Sequence, residues 1–113
     1  GLPRPLRLAR PEAFARVRAQ GQTFRSRHFL LSLAPNGLPL NRFGLVTGKK
    51  LGGAVVRNRV RRLLREVLRL SQGRLRSGWD VVLVAHPAAV GLSVAEIQRT
   101  FDALASQAGL FRE

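Results

Sequence analysis

The sequence predicts a single α+β domain (an α/β sandwich): a small mixed sheet with helices packed on it, in the order α-β-β-α-β-α. Three observations predict it. The stretch Trp79–Ala85, WDVVLVA, carries a continuous apolar run of strand length, as a strand buried on both faces does. A long segment of helical periodicity lies between that strand and an earlier one, so part of the sheet can be parallel. The chain has 113 residues, the size of one domain, and contains no repeat or low-complexity segment that would divide it.

The elements follow in order. Residues 1–10 interleave Pro, Arg and Leu, and three prolines by position 11 argue against a regular helix, so this segment reads as an extended basic arm. Pro11 suits the first turn of a helix that runs to about Gln20 and stops at Gly21, with Phe14 and Val17 on one face. Thr23–Ala34 reads as one strand. The following PNGLPLN is turn chemistry, with Asn36-Gly37 as a hairpin signal, and Arg42–Thr47 is a second strand closed by Gly48. Gly52-Gly53 opens a long helix to about Leu70, and SQGRLRSG is a loop before the buried strand. After the HPAAVG loop, Ser93 and Glu96 form a capping box that starts a last helix, ending near Ala108.

Composition narrows the function. Hydrophobic residues make up 45% of the chain, too many for a disordered segment. There is no cysteine, which removes disulfides and thiolate metal sites and fits a reducing compartment. No apolar run approaches the roughly 20 residues of a membrane helix, and the N-terminal segment has no secretory core. A cytoplasmic protein with no membrane partner is expected. His28 and His86 are the only histidines, so no dedicated metal site is expected.

Charge is the strongest signal. Twenty Lys plus Arg stand against six Asp plus Glu, giving +14 and a pI near 12.0. Lys49 and Lys50 are the only lysines; the rest are arginines, whose planar forks grip phosphate and stack on bases. Nucleic acid is the first partner class, an anionic membrane surface the second.

The segment Lys49–Glu66, KKLGGAVVRNRVRRLLRE, holds seven basic residues and no acid before its last position. On a helical wheel Val56, Val60, Leu63, Leu64, Val67 and Leu70 fall on one side. Arg57, Arg59, Arg61, Arg62, Arg65 and Arg69 fan around the rest, with Asn58 in the charged arc. A solvated surface helix mixes its signs; here Arg57, Arg61 and Arg65 stand at i,i+4 spacing and repel each other by about 0.2–0.5 kcal/mol per pair. A polyanion reverses that cost. Lys49, Lys50 and the Gly52-Gly53 pair lie at the helix N-terminus, where the glycines either admit a phosphate to the backbone or only make a turn. The spacing is not that of a Walker loop.

This segment closely resembles the signature of the bacterial ribonuclease P protein subunit: two lysines before a glycine, Ala-Val, an Arg-Asn-Arg triplet (here Arg57-Asn58-Arg59), then basic residues and an apolar pair. The resemblance extends through Phe14 with Gly21, SRHFLL, FGLVTGKK, WDVVLVA and the capped last helix, nearly the whole chain. It implies a left-handed βαβ crossover, contrary to the usual hand. It implies a catalytic RNA as partner, bound at Lys49, Lys50, Gly52, Arg57, Asn58, Arg59, Arg61, Arg62 and Arg65. It further implies a cleft between the sheet and the first helix that holds the 5′ leader of precursor tRNA. Phe14 and Phe29 match aromatics of that cleft, and Arg18 and Arg27 supply charge; Arg18 stands where the family often has a second helical aromatic, and His86-Pro87 where it often has basic residues.

The resemblance implies an endoribonuclease only as a holoenzyme with the catalytic RNA, where divalent metal (Mg2+) is expected; the protein alone is expected to bind no cofactor and to be inactive. No dedicated protein partner is expected. Glu12, Glu66, Asp80, Glu96, Asp102 and Glu113 are scattered over different segments with no metal-binding spacing, and Asp80 reads as a structural acid. The competing readings are a general RNA-binding or ribosomal-type protein, a stand-alone nuclease and a cationic membrane-binding protein.

Overall fold

The computed structural model describes residues 2–112, and Gly1 and Glu113 lie outside them. Among the described residues the α-helices are α1 (Pro11–Gln20), α2 (Ala54–Ser71) and α3 (Val94–Gln107). The strands are β1 (Gln22–Arg25), β2 (Phe29–Pro35), β3 (Arg42–Val46) and β4 (Trp79–Ala85). They form one mixed sheet in the order β1-β2-β4-β3. β4 pairs antiparallel with β2 (Leu31 opposite Leu83) and parallel with β3 (Gly44 opposite Val82), so β3-α2-β4 is a βαβ unit. β4 therefore lies inside the sheet, as its apolar run predicts.

Alternation along the strands divides the sheet into two faces. Phe29, Leu31, Leu33, Phe43, Val81 and Leu83 pack against Val60, Leu64, Val67 and Leu68 of α2 and Ile97, Phe101, Leu104 and Ala105 of α3. The opposite face carries Ala34 and Val82 against Leu8 and Val17, with Phe14, Val46 and Val84 at the margin. α1 thus covers one face alone and the other two helices cover the second. The capping box that starts α3 is present, with Ser93 and Glu96 exchanging bonds of 3.2 and 3.1 Å.

Three sequence expectations change. Thr23–Ala34 is two antiparallel strands, not one. Ser26 replaces the missing turn residues: its hydroxyl accepts from the backbone N–H groups of His28 and Phe29 at 3.2 and 3.1 Å. Asn36-Gly37 does turn the chain, with Asn36 Oδ1 accepting from Leu38 N–H at 2.8 Å, but β2 and β3 do not form a hairpin because β4 lies between them. The N-terminal segment is docked as well as extended. It contains a 3-10 turn at Arg4–Leu6, buries Leu2 and Leu8, and donates Leu8 N–H to Phe43 O at 2.8 Å along the outer edge of β3.

Candidate nucleic-acid interface

α2 forms because Ala54–Ser71 has no Gly or Pro and repeats apolar residues at three- and four-residue spacing. Its buried stripe is Val60, Leu64, Val67, Leu68 and Ser71. This differs from the wheel read from the sequence: Leu68 is buried and Leu70 is exposed. The stripe centres on Leu64, and at about 100° per residue Arg57 falls close to its axis, with Arg61 and Arg65 along its margin. These three arginines are half-buried, whereas Asn58, Arg59, Arg62 and Arg69 are exposed. Nε of Arg57 is buried without a hydrogen-bond partner among the described residues. Arg61 donates to Thr47 Oγ1, at the end of β3, and to Asn58 Oδ1 at 3.0 Å.

Arg61 and Arg65 face a cleft. A cavity of about 290 Å³ opens between the docked arm (Leu2, Arg7, Leu8), Phe14 of α1, Phe43 and Leu45 of β3, and Arg61 and Arg65 of α2. Phe14 reaches it because Gly44 lies beneath the ring: a Cβ at that position would stand 2.4 Å from Phe14 Cε1. Burial, and then the neighbouring charges of Arg7 and Arg61, push the Arg65 guanidinium down from its ordinary value. Like charge is held together here at a cost that a bound anion would remove.

A second concavity, about 410 Å³, lies at the carboxyl ends of β3 and β4, where Val46 and Val84 meet Lys49, Lys50, His86 and Pro87. Buried Leu51 anchors the turn that exposes the two lysines. Gly52 follows with φ 132°, a conformation that favours glycine. No side chain among the described residues caps the N-terminus of α2, so its first N–H groups remain available to water or an anion. The β1–β2 turn reaches the same end of the sheet, since His86 N–H donates to His28 O at 2.9 Å, and the turn exposes Arg27.

The structure therefore brings Phe14, Arg61 and Arg65 to one cleft and places Lys49, Lys50, Gly52 and Arg27 near the carboxyl ends of β3 and β4. Arg18 is exposed one turn beyond Phe14. Phe29 is corrected: it is fully buried against α2 and α3, on the face opposite Phe14, and has no free ring face to stack on a base. The β2 residues of the other parity, Leu30, Ser32 and Ala34, face α1 instead. Arg7 also lines the cleft and His86 the second concavity, beyond the residues that the sequence marked for binding. Arg7 is brought to the cleft only by the docking of the arm, a contact that local sequence does not show.

The acids are engaged elsewhere. Asp80, fully buried, accepts from Arg42 Nε and Nη2 at 2.8 and 2.7 Å, from Asn36 Nδ2 at 3.0 Å, and from Arg16 of α1. Glu66 pairs with Arg69, Glu96 closes the α3 cap, and Asp102 accepts from Arg74 and Gln98. No group of three or more His, Asp or Glu among the described residues is placed to hold a metal ion.

A half-buried arginine line beside an aromatic cleft, with exposed lysines at an uncapped helix N-terminus, has the chemistry to take up phosphate. The family model described as Ribonuclease P matches residues 2–109. The chain belongs to the ribonuclease P protein family. Its role is that of a ribonuclease P protein component, working with RNA in the processing of tRNA 5′ ends. It is 40% identical over 108 residues to the ribonuclease P protein component of Roseiflexus castenholzii, covering 95% of this chain and 88% of that one. It is 42% identical over 108 residues to that of Chloroflexus aurantiacus, covering 95% and 80%. Among solved structures, a Staphylococcus aureus RNase P protein mutant with defective mRNA degradation activity superposes with a TM-score of 0.88 at 26% identity, covering 95% of this chain and 91% of that one. No helix among the described residues is long and apolar enough to cross a membrane.

Proposed function

We propose that this protein binds the catalytic RNA of ribonuclease P through Lys49, Lys50, Gly52 and the Arg57–Arg65 line, and the 5′ leader of precursor tRNA through Phe14, Arg18 and Arg27. The observation that carries this reading is the cleft in which Phe14 meets Arg7, Arg61 and Arg65. A ring face and fixed guanidinium groups at one place suit a single strand: the base stacks, and the phosphates are gripped without regard to sequence. A leader strand needs this tolerance. The same cleft borders α2, so leader and catalytic RNA would meet along one helix.

The protein contributes binding and orientation, and the RNA contributes the chemistry. Four of the five acids among the described residues are committed to ion pairs, a cap or the buried clamp, and the fifth, Glu12, is exposed in the first turn of α1, away from both histidines in sequence. Among the described residues no cluster of acids and histidines is placed to hold Mg2+, so in this reading divalent ions are held by RNA phosphates. Absence of cysteine and the RNA partner support a cytoplasmic location.

Reconstitution tests the reading. Protein alone should leave labelled precursor tRNA intact, and adding catalytic RNA at low magnesium should restore cleavage at the mature 5′ end. Phe14→Ala should weaken binding of precursor tRNA by about 1–3 kcal/mol, the worth of one stacked base, and spare mature tRNA. Equal weakening of both would make Phe14 a core residue only. Cleavage by RNA-free protein would reject the division of labour.

A further inference from the structure

Beyond the end of α2 the chain gathers a second set of arginines that the surface above does not use. Leu75 bridges Phe111 as an antiparallel pair, Arg76 N–H donates to Leu110 O at 2.7 Å, and Arg112 N–H donates to Arg74 O at 2.8 Å. This short ladder sets Arg74, Arg76 and Arg112 side by side, all exposed, over buried Leu75 and Leu110. Each guanidinium group is oriented by a contact of its own. Arg112 Nε donates to Leu75 O at 2.9 Å, Arg76 reaches Gly109 O at 3.4 Å, and the Arg74 guanidinium lies 5.0 Å over the Phe111 ring. Arg76, Gly109, Phe111 and Arg112 line an open cavity of about 530 Å³.

Packing does not account for this. The ladder needs Leu75, Leu110 and Phe111, but three adjacent positive charges oppose it. Among the described residues only Asp102 pairs with one of them, Arg74, at 3.0 Å. Each guanidinium carries five N–H donors, and the bonds to carbonyls fix its direction while using a fraction of them. Planar forks held in this way fit phosphate oxygens two at a time, and the Arg74–Phe111 stack offers a face to a base. The cavity is lined by two arginines, one aromatic ring and a glycine, a pairing of charge with a single ring that suits a phosphodiester and its base.

We propose that this groove is a second RNA-binding site, taking the phosphodiester backbone with a base stacked beside it. The 18 residues of α2 span about 27 Å, so the helix holds this site a fixed distance from the lysines at its N-terminus. A ligand that touches both ends is a large structured RNA. The proposal takes its ligand class from the function proposed above, but its residues are separate from that surface.

The test measures affinity against salt for catalytic RNA and, separately, for precursor tRNA, with Arg76→Ala/Arg112→Ala and, in parallel, Arg57→Ala/Arg59→Ala. The first double variant should weaken at least one RNA roughly five- to twentyfold and reduce the slope of log K against log salt by about 1–2, because each lost phosphate contact retains its counterion. The RNA that responds is the source of the backbone. If affinity and slope are unchanged for both RNAs while the Arg57/Arg59 pair weakens binding, the second site is overturned and the first stands. If neither pair has an effect, both are overturned. Should the Arg112 substitution disturb the fold, the Nε–Hε NMR signals of Arg76 and Arg112 in the unsubstituted protein replace it: shifts on titration with either RNA support the site, and unmoved signals reject it.

Discussion

Asp80 joins three parts of the chain through one carboxylate: Arg16 of α1, Arg42 of β3 and Asn36 of the loop after β2. Burial pushes its carboxyl up, but the hydrogen bonds from Arg42 and Asn36 and the charges of Arg42 and Arg16 together outweigh that, so the group is held below the ordinary carboxylate range. A folded-state value below the unfolded one stabilises the fold fully above about pH 4 and loses that contribution as pH falls through the folded value. Asp80→Asn should therefore cost about 2–3 kcal/mol at pH 7, less than the roughly 3–5 kcal/mol for breaking a fully buried pair, since both arginine side chains are 35% exposed and screened by water. The gap between wild type and variant, measured by urea unfolding, should close below about pH 4; a gap constant to pH 2 would mean that the carboxylate charge does not stabilise the fold. A structural role for Asp80 was legible from its place at the start of a buried strand. Its partners were not, because they lie 38 to 64 positions away in sequence. The same distance effect misplaced Phe29: the resemblance put it in the leader cleft, but strand parity decides the face, and parity toward α1 is set by tertiary packing.

At the scale of elements, the helices and β4 were readable because each carries a complete local signal: Pro11 before α1, the stripe of α2, the apolar run of Val81–Ala85, the Ser93–Glu96 box. The β1–β2 turn was not, because Ser26-Arg27-His28 contains no Gly, Asn or Pro and is closed by a serine hydroxyl. The pairing of β2 with β4 was hidden by a genuine turn signal at Asn36-Gly37, since turn chemistry reports a change of direction and not the neighbour that follows. For α2 the period was right and the phase was not. The true phase sets Arg57 near the axis of the buried stripe and directs Arg61 and Arg65 along the edge of the core, toward the cleft, while Arg59 and Arg62 project outward. Two classes of arginine follow. Arg59→Ala/Arg62→Ala should lower RNA affinity and reduce the salt slope by about 1–2, as lost phosphate contacts do. Arg61→Ala/Arg65→Ala should do this too, and should also weaken leader-dependent discrimination between precursor and mature tRNA, because these two line the cleft with Phe14. Identical discrimination by both double variants would show that the cleft and the outer face are one surface.

At the scale of the whole molecule, a net charge of +14 on 113 residues makes the isolated fold repel itself, most where Arg7, Arg61 and Arg65 converge. RNA removes that repulsion, and so should any anion that occupies the same positions. An anion bound by the folded state alone stabilises it by RT ln(1 + [L]/Kd), about 1.4 kcal/mol at ten times Kd, and a domain of this size gains about 4–8 °C in Tm per kcal/mol. Phosphate or sulfate should thus raise Tm by about 6–11 °C over chloride at equal ionic strength. Sulfate and phosphate also stabilise proteins generally, by exclusion from their surfaces, so the size of the shift does not decide the matter. Its shape does. Exclusion grows steadily with concentration, whereas occupation of sites follows the logarithm and flattens once the midpoint has been passed. Arg57→Ala/Arg61→Ala/Arg65→Ala relieves the repulsion by substitution and should have a smaller anion-dependent rise, even if its Tm in chloride is unchanged or higher. A rise linear in sulfate concentration and equal in wild type and triple variant would show that the convergent arginines are not anion sites.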